Sequence, residues 1–172
     1  MSREDDPIRS PECLGEQHDL SGFDSGSLVL DDWLRRRAVA NQASGGSRTY
    51  VVCTAGKKVV GYYALASGAI ALQQATGRTR RNMPDPIPVM VLGRLAVDRR
   101  YQARGLGRGL LRDAILRTLQ AAEIAGIRAI AVHAISEQAR RFYESCGFAR
   151  SPLDPMTLMI TLADAARSLS ER

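Results

Sequence analysis

Residues 89–126 read VMVLGRLAVDRRYQARGLGRGLLRDAILRTLQAAEIAG, a run that leaves the fold little freedom. Its first part, 89–98, is apolar and β-rich enough for a buried strand. Glycines follow at 105, 107 and 109, and then Leu110, Leu111, Ala114, Ile115, Thr118, Leu119 and Ala122 fall on one helical stripe. The spacing predicts a helix over 104–126, closed by Gly126. N–H groups in a first helical turn lack internal acceptors and carry the positive end of the dipole. Glycine there lets a ligand reach the backbone. The stretch reads as a phosphate cradle, to which Gln102, Arg104 and Arg108 can add side-chain contacts. Position 110 is leucine, so the dinucleotide pattern G-x-G-x-x-G fails, and the G-K-[ST] of a P-loop is missing. What remains is Q-x-x-G-x-G, Gln102 to Gly107, behind a strand. A glycine turn with only a structural role is the competing reading.

The flanking sequence extends this unit. Asp31 and Asp32, favoured caps, precede WLRRRAVANQ and predict a helix over 31–43, with Trp33, Leu34, Ala38 and Gln42 on one face and SGGS closing it. Strands over 48–55 and 59–70 around a turn at 56–58 form a hairpin. Residues 73–88 read as a long polar loop with one helical turn near 71–75. A buried strand at 128–135 leads to a helix capped by Ser136 and ended by Gly147, and a last strand covers 156–164. Residues 1–10 are expected to be a flexible polar arm, 11–165 a single domain and 166–172 a tail. The order β–α–ββ–β–α–β–α–β predicts a mixed α/β sheet with helices on both faces.

Composition narrows the function classes. No apolar run approaches the roughly 18 residues needed to span a bilayer, and the start MSREDDPIRS lacks the apolar stretch of a secretory signal. Cys13, Cys53 and Cys146 lie far apart, which predicts reduced thiols in a cytoplasmic protein, and two histidines make a His-rich metal site improbable. Net charge is +6, yet residues 1–32 hold nine acidic against two basic residues and residues 33–172 hold 22 basic against nine acidic. The body of the chain therefore attracts polyanions, unless its arginines only solvate the surface.

The Q-x-x-G-x-G motif after a strand resembles the pyrophosphate-binding signature of the Gcn5-related N-acetyltransferase (GNAT) family. Ala139-Arg-Arg-Phe142-Tyr143 followed by Gly147-Phe148 resembles that family's closing motif. DDWLRRRAVANQ, SRTYVVC, VVGYYALASGAI, LGRLAVDRRYQARGLGRGLLRDA, RRFYESCGF and PMTLMITL together are similar to the acetyltransferase toxins of type II toxin–antitoxin systems, over roughly 10–165. The resemblance implies a GNAT fold, with a mostly antiparallel central sheet whose strands splay. It also implies an enzyme that uses acetyl-CoA, without a metal, to acetylate the amino group of aminoacyl-tRNA and so block translation. Implied partners are a ribbon-helix-helix antitoxin, operator DNA reached only through it, and a second copy of the chain in a homodimer.

The resemblance assigns coenzyme binding to Gln102, Ala103, Arg104, Gly105, Leu106, Gly107, Arg108 and Gly109, and carbonyl polarisation to the backbone of Leu95, Ala96 and Val97. Tyr143 is the candidate general acid, with core packing beside Phe142 as the alternative. Ser136 stands where many members have Asn, which puts one coenzyme contact in doubt. His133 is expected to face the core or a pocket wall. Arg78, Arg80, Arg81 and Asn82 are candidates for tRNA phosphates, as is Arg36, which could instead pair with Asp31 or Asp32. Other readings are a transferase for a small-molecule or protein amine, against which the basic body argues, and a non-catalytic coenzyme-binding subunit of a repressor complex.

Overall fold

The computed structural model describes residues 7–171, so most of the expected N-terminal arm lies outside the described residues. Ile8 bridges Thr54, and the Arg9 N–H donates to the Cys53 carbonyl at 2.9 Å. The chain divides into two compact units: residues through Ala66 with Arg94–Asp113, and Ser67–Gly93 with the residues from Ala114 onward.

In the first unit Ser27, rather than Asp31 or Asp32, caps α1 (Leu28–Arg36), its hydroxyl oxygen accepting from the Leu30 N–H. The helix breaks at Arg37 and resumes as α2 (Ala38–Ser44), which Gly45 ends at φ 83°. The continuous helix expected over 31–43 is thus two. Asp31 cannot cap because its buried carboxylate is taken by the N–H and hydroxyl of Ser25. Trp33, Leu34 and Ala38 are buried as their spacing predicts. Gln42 accepts the Thr49 N–H at 2.9 Å and donates to the Leu14 carbonyl at 2.8 Å. The short strand β1 (Glu12–Cys13) pairs antiparallel with β2 (Arg48–Cys53), and β2 pairs antiparallel with β3 (Val59–Ile70), the hairpin read from the sequence.

In the second unit the loop expected over 73–88 contains a 3-10 turn, Leu72–Gln74, and a further helical turn, α3 (Gly77–Arg80), capped by Thr76. Strand β4 (Ile87–Val97) begins here and pairs in parallel with β5 (Ala129–His133). Between them comes α4 (Leu106–Ala121). It ends well short of Gly126, which does not adopt the left-handed φ of a closing glycine. Its last turn closes on the chain's own carbonyls instead, with the Ala125 N–H reaching Ala121. Helix α5 (Glu137–Ser145) starts at Ser136 and ends before Gly147, at φ 98°, as predicted. Strand β6 (Ala149–Arg150), which the sequence reading did not assign as a strand, pairs antiparallel with β7 (Thr157–Thr161), which pairs antiparallel with β5. The strand read over 156–164 stops at Thr161, because the Thr161 hydroxyl caps α6 (Leu162–Ser170) through the Asp164 N–H. Strand order is β1-β2-β3-β4-β5-β7-β6, a mixed, mostly antiparallel sheet with β3 and β4 passing from one unit to the other.

Each unit has its own apolar core. Leu14, Phe23, Trp33, Leu34, Val51 and Tyr62 centre the first; Ile87, Val89, Ala129, Ala131 and Met159 centre the second. Gly61 marks a tight spot in the first unit. A Cβ there would lie 2.9 Å from Val52 Cγ2 and 3.1 Å from Leu110 Cδ1, on α4. Gly61→Ala is therefore expected to destabilise the fold by about 1–3 kcal/mol, read as a lower urea midpoint at unchanged slope.

Candidate active site

The glycine loop is anchored in the first unit by Asp98. This residue is fully buried. It caps the 3-10 turn Arg99–Tyr101, accepting from the Arg100 N–H at 3.0 Å and from Arg100 Nε at 3.1 Å. It also accepts the Asp24 N–H at 3.1 Å. Burial pushes the Asp98 carboxyl up, but the Arg100 guanidinium and the two N–H groups outweigh it and hold it below the usual range. The acidic N-terminal segment braces the same turn: the Arg99 N–H donates to Asp24 O at 2.8 Å, and the Arg99 side chain pairs with the Asp24 carboxylate at 3.3 Å. Nothing in the sequence reading singled out Asp24, Ser25 or Asp98.

After this turn Ala103 takes φ 64° and Gly105 φ 82°, so the chain turns sharply before α4 begins. The first helical bond runs from the Gly109 N–H to Gly105 O at 3.0 Å. It leaves the N–H groups of Leu106 and Gly107 without an acceptor in the helix. A Cβ built on Gly105 or Gly109 would meet nothing within 4 Å. The backbone is thus bare where an anion would approach, and the donor set fits a pyrophosphate. Arg104 and Arg108 are exposed, with Arg104 lying over the Tyr101 ring at 5.2 Å. The amide NH₂ of Gln102 bridges Ser25 O at 3.1 Å and Val97 O at 2.9 Å. It ties the loop to the end of β4.

That strand end holds Leu95, Ala96 and Val97. The register with β5 runs from Val89↔Ala129 to Leu92↔Val132, while β4 itself continues to Val97. Burial alternation also slips, from Ile87 and Val89 to Leu92 and Ala96. Beyond Leu92 the strand outruns its register with β5, which ends at His133.

The second unit holds Tyr143. Its ring is buried, 5.2 Å from Phe142 and 5.5 Å from Phe148 between centroids. The ring packs as the core reading expects, and its hydroxyl has no hydrogen-bond partner among the described residues. Burial, with a smaller contribution from Cys146, raises its pKa well above the usual 10. The hydroxyl is a proton donor over the whole physiological range. The Ser136 hydroxyl accepts from the Ala139 N–H at 3.1 Å and so is engaged as a cap. His133 does not face the core. Its side chain is 67% exposed beyond the buried run Ala129–Val132, against Thr157 Oγ1 at 3.2 Å and Asp154 at 3.7 Å.

The basic candidates separate by their partners. Arg78 is held in a fork by Asp164, at 2.7 and 2.6 Å, and its carbonyl and that of Thr79 accept from Arg128 at 2.7 and 3.0 Å. Thr79 is buried and its N–H is capped by Thr76. Arg78 is a strut of this loop. Arg80, Arg81 and Asn82 are exposed, and the Arg80 and Arg81 side chains have no partner among the described residues. Arg36 in the first unit is likewise exposed and unpartnered among them. Its expected partners are taken, Asp31 by Ser25 and Asp32 by Arg35.

Glu12, His18 and Cys53 bring their ligand atoms within 4.8 Å of one another. The Gly15 N–H donates to His18 Nδ1 at 2.9 Å, which puts the ring proton on Nε2, facing Glu12 at 2.7 Å. Lys57 Nζ is 3.5 Å from the same carboxylate. The three side chains satisfy one another, and the cluster reads as a structural tie between the N-terminal segment and β2.

Comparison with known proteins identifies the family. Residues 46–150 match the family model described as an acetyltransferase (GNAT) domain. A tRNA-acetylating toxin of Mycobacterium tuberculosis is 54% identical over 156 residues, covering 91% of this chain and 93% of that protein. The solved structure of AtaT complexed with acetyl-methionyl-tRNAfMet superposes with a TM-score of 0.86 at 27% identity, over 95% of this chain and 99% of that one. A tyrosine-to-phenylalanine mutant of AtaT, bound to the C-terminus of the antitoxin AtaR and acetyl-CoA, gives 0.81 at 27% identity over 96% and 99%. The chain belongs to the GNAT acetyltransferase family.

Because Asp98 is ionised more readily in the fold than in the unfolded chain, its stabilisation is present above the unfolded pKa of about 4 and is lost as pH falls below it. Asp98→Asn is expected to lose about 2 kcal/mol at pH 7. The gap to the natural chain should narrow below about pH 4 in denaturation curves taken across pH.

Proposed function

We propose that this chain is the toxin of a type II toxin–antitoxin pair, transferring acetyl from acetyl-CoA to the amino group of aminoacyl-tRNA and so halting translation. The observation that carries the reading is the bare N–H turn at Leu106 and Gly107 behind the Asp98 anchor, in a chain that is 54% identical to a tRNA-acetylating toxin. Acetyl-CoA supplies the acetyl group as a thioester. The loop 102–109 holds its pyrophosphate, with Gln102 acting as the loop's tie rather than as a ligand. Backbone groups of Leu95, Ala96 and Val97 polarise the carbonyl. The attacking amine arrives uncharged: an α-amine titrates near 8, and esterification lowers that further, so no dedicated base is needed. As nitrogen bonds to carbon and the carbon–sulfur bond breaks, the Tyr143 hydroxyl gives its proton to the departing sulfur, the new amide nitrogen gives one proton up to solvent, and the Tyr143 phenolate takes one back from solvent. Ser136 caps α5 and sets where Tyr143 stands.

For the acceptor, Arg80, Arg81 and Arg36 supply phosphate contacts, Asn82 shapes the turn at φ 58°, and Arg78 braces it through Asp164. No helix among the described residues is long and apolar enough to cross a membrane. A tRNA substrate implies action in the cytoplasm. The expected assembly is a homodimer with a ribbon-helix-helix antitoxin through which operator DNA is reached.

Mass spectrometry of bulk charged tRNA, after incubation with the protein and acetyl-CoA, should find N-acetylated aminoacyl ends; none on any tRNA sinks the reading. Tyr143→Phe should keep acetyl-CoA affinity and slow transfer about a hundredfold or more. Equal rates would remove Tyr143 from the chemistry. Arg80→Glu with Arg81→Glu should weaken tRNA binding at every tRNA tested and flatten its salt dependence. An unchanged salt slope would place the acceptor elsewhere.

A further inference from the structure

Arg94 stands on β4 one residue before the Leu95–Val97 backbone. Strand alternation puts it on the same face as Ala96, which packs in the core cluster with Trp33 and Tyr62. The guanidinium carbon lies 4.3 Å from the centroid of the Trp33 ring. Trp33 is stacked in turn on Tyr62, with centroids 6.0 Å apart and planes 11° apart. Tyr62 is fully buried, and its hydroxyl donates to the Leu30 carbonyl at 2.6 Å. The column is therefore fixed from its base, and the Arg94 guanidinium sits over its outer ring.

Its N–H edges are not used. Among the described residues no hydrogen bond or ion pair reaches the Arg94 side chain. The acids of α1 are taken, Asp31 by Ser25 and Asp32 by Arg35, and Asp98 on the same strand's exit is taken by Arg100. Covering an indole needs no charge; leucine or methionine would do it without stripping water from a cation. A guanidinium held over a ring with its planar N–H fork open can receive a phosphate through two parallel hydrogen bonds.

The geometry points to Arg94 as the residue that grips a phosphodiester of the acceptor, the one adjoining the 3′-terminal nucleotide that carries the amino acid. This role rests on the reading of the acceptor as aminoacyl-tRNA. Positions 94 to 97 span about 10 Å of extended strand, a length that one nucleotide and its aminoacyl ester can bridge. The phosphate would be held on one face of β4 while the ester reaches along the strand toward the backbone that polarises the thioester. Arg94 thereby sets the position of the amine as well as affinity for the acceptor. Arg36, Arg80 and Arg81 are exposed on other elements and cannot supply that local register.

Two substitutions test it. Arg94→Met keeps an unbranched stem across Trp33 and removes the charge; Arg94→Lys keeps the charge and removes the fork. Steady-state transfer is measured with bulk charged tRNA and acetyl-CoA varied in turn, at several salt concentrations, with thermal unfolding as the control for fold. Arg94→Met should raise KM for charged tRNA about ten- to a hundredfold, lower the salt slope by about one, and leave KM for acetyl-CoA unchanged. Arg94→Lys should keep the salt slope and still raise KM for tRNA, because a point charge does not replace the fork. If Arg94→Met fails to fold, Arg94→Lys decides: kinetics identical to the natural chain overturn the role. An equal rise in KM for acetyl-CoA also overturns it, by moving Arg94 to the coenzyme. A natural chain that acetylates no charged tRNA defeats the acceptor reading itself; a natural chain that does so alongside unaffected variants defeats only Arg94.

Discussion

Asp98 collects the Asp24 N–H, the Arg100 N–H and two guanidinium nitrogens of Arg100 on one buried carboxylate. Burying a charge is unfavourable unless every lone pair finds a donor, and here the donors come from both sides of the strand exit. One set belongs to the turn that opens the glycine loop, the other to the acidic N-terminal segment. The carboxylate therefore fixes where β4 ends, and with it where the first N–H groups of α4 point. Removing its charge would leave those donors without an acceptor and the turn without its cap.

Rigidity at that point matters because backbone donors bind anions well only when their direction is set beforehand. Gln102 extends the same logic. Its amide fastens the loop to Val97 O and Ser25 O. A residue that family resemblance suggests as a coenzyme contact is, in this chain, also a tie of the loop to its surroundings. Ala103 at φ 64° and Gly105 at φ 82° then reverse the chain, a conformation that costs little at glycine and more at alanine. The local strain at Ala103 is sustained by the ties on either side of it.

These supports explain what could and could not be seen in the sequence. The strand, glycine loop and α4 were legible because apolar periodicity and glycine spacing are local properties. The 59–70 strand, the Ser136 cap and Gly147 were legible for the same reason. Strands β1 and β6 are two residues long and carry no period at all. The start of α1 was misplaced because Asp31 is an excellent cap by type, and only the tertiary bond to Ser25 disqualifies it. His133 was misjudged because β5 is buried as far as Val132 and stops being so one residue later. Asp98, Asp24 and Arg94 carry no motif of their own, because the contacts that mark them, Asp98 with Asp24 and Arg94 with Trp33, reach tens of residues along the chain.

The same limit applies to charge. A surplus of 22 basic over nine acidic residues in 33–172 suggested a polyanion partner without saying which arginines could meet one. Structure divides them. Arg78 is spent on Asp164, Arg100 on Asp98, Arg140 on Glu137 and Glu144, and Arg150 on Glu144. Arg128 is spent on the carbonyls of the α3 turn. Arginines that already carry a carboxylate release few counter-ions on meeting RNA, because their charge is neutralised before it arrives. Arg36, Arg80, Arg81 and Arg94 keep theirs, on separate elements and at different depths. In the proposed complex, exposed contacts of the first three kinds would add affinity for any phosphate backbone. Only Arg94, stacked beside the strand that would hold the thioester, ties that affinity to the end of the molecule where acetyl transfer has to occur.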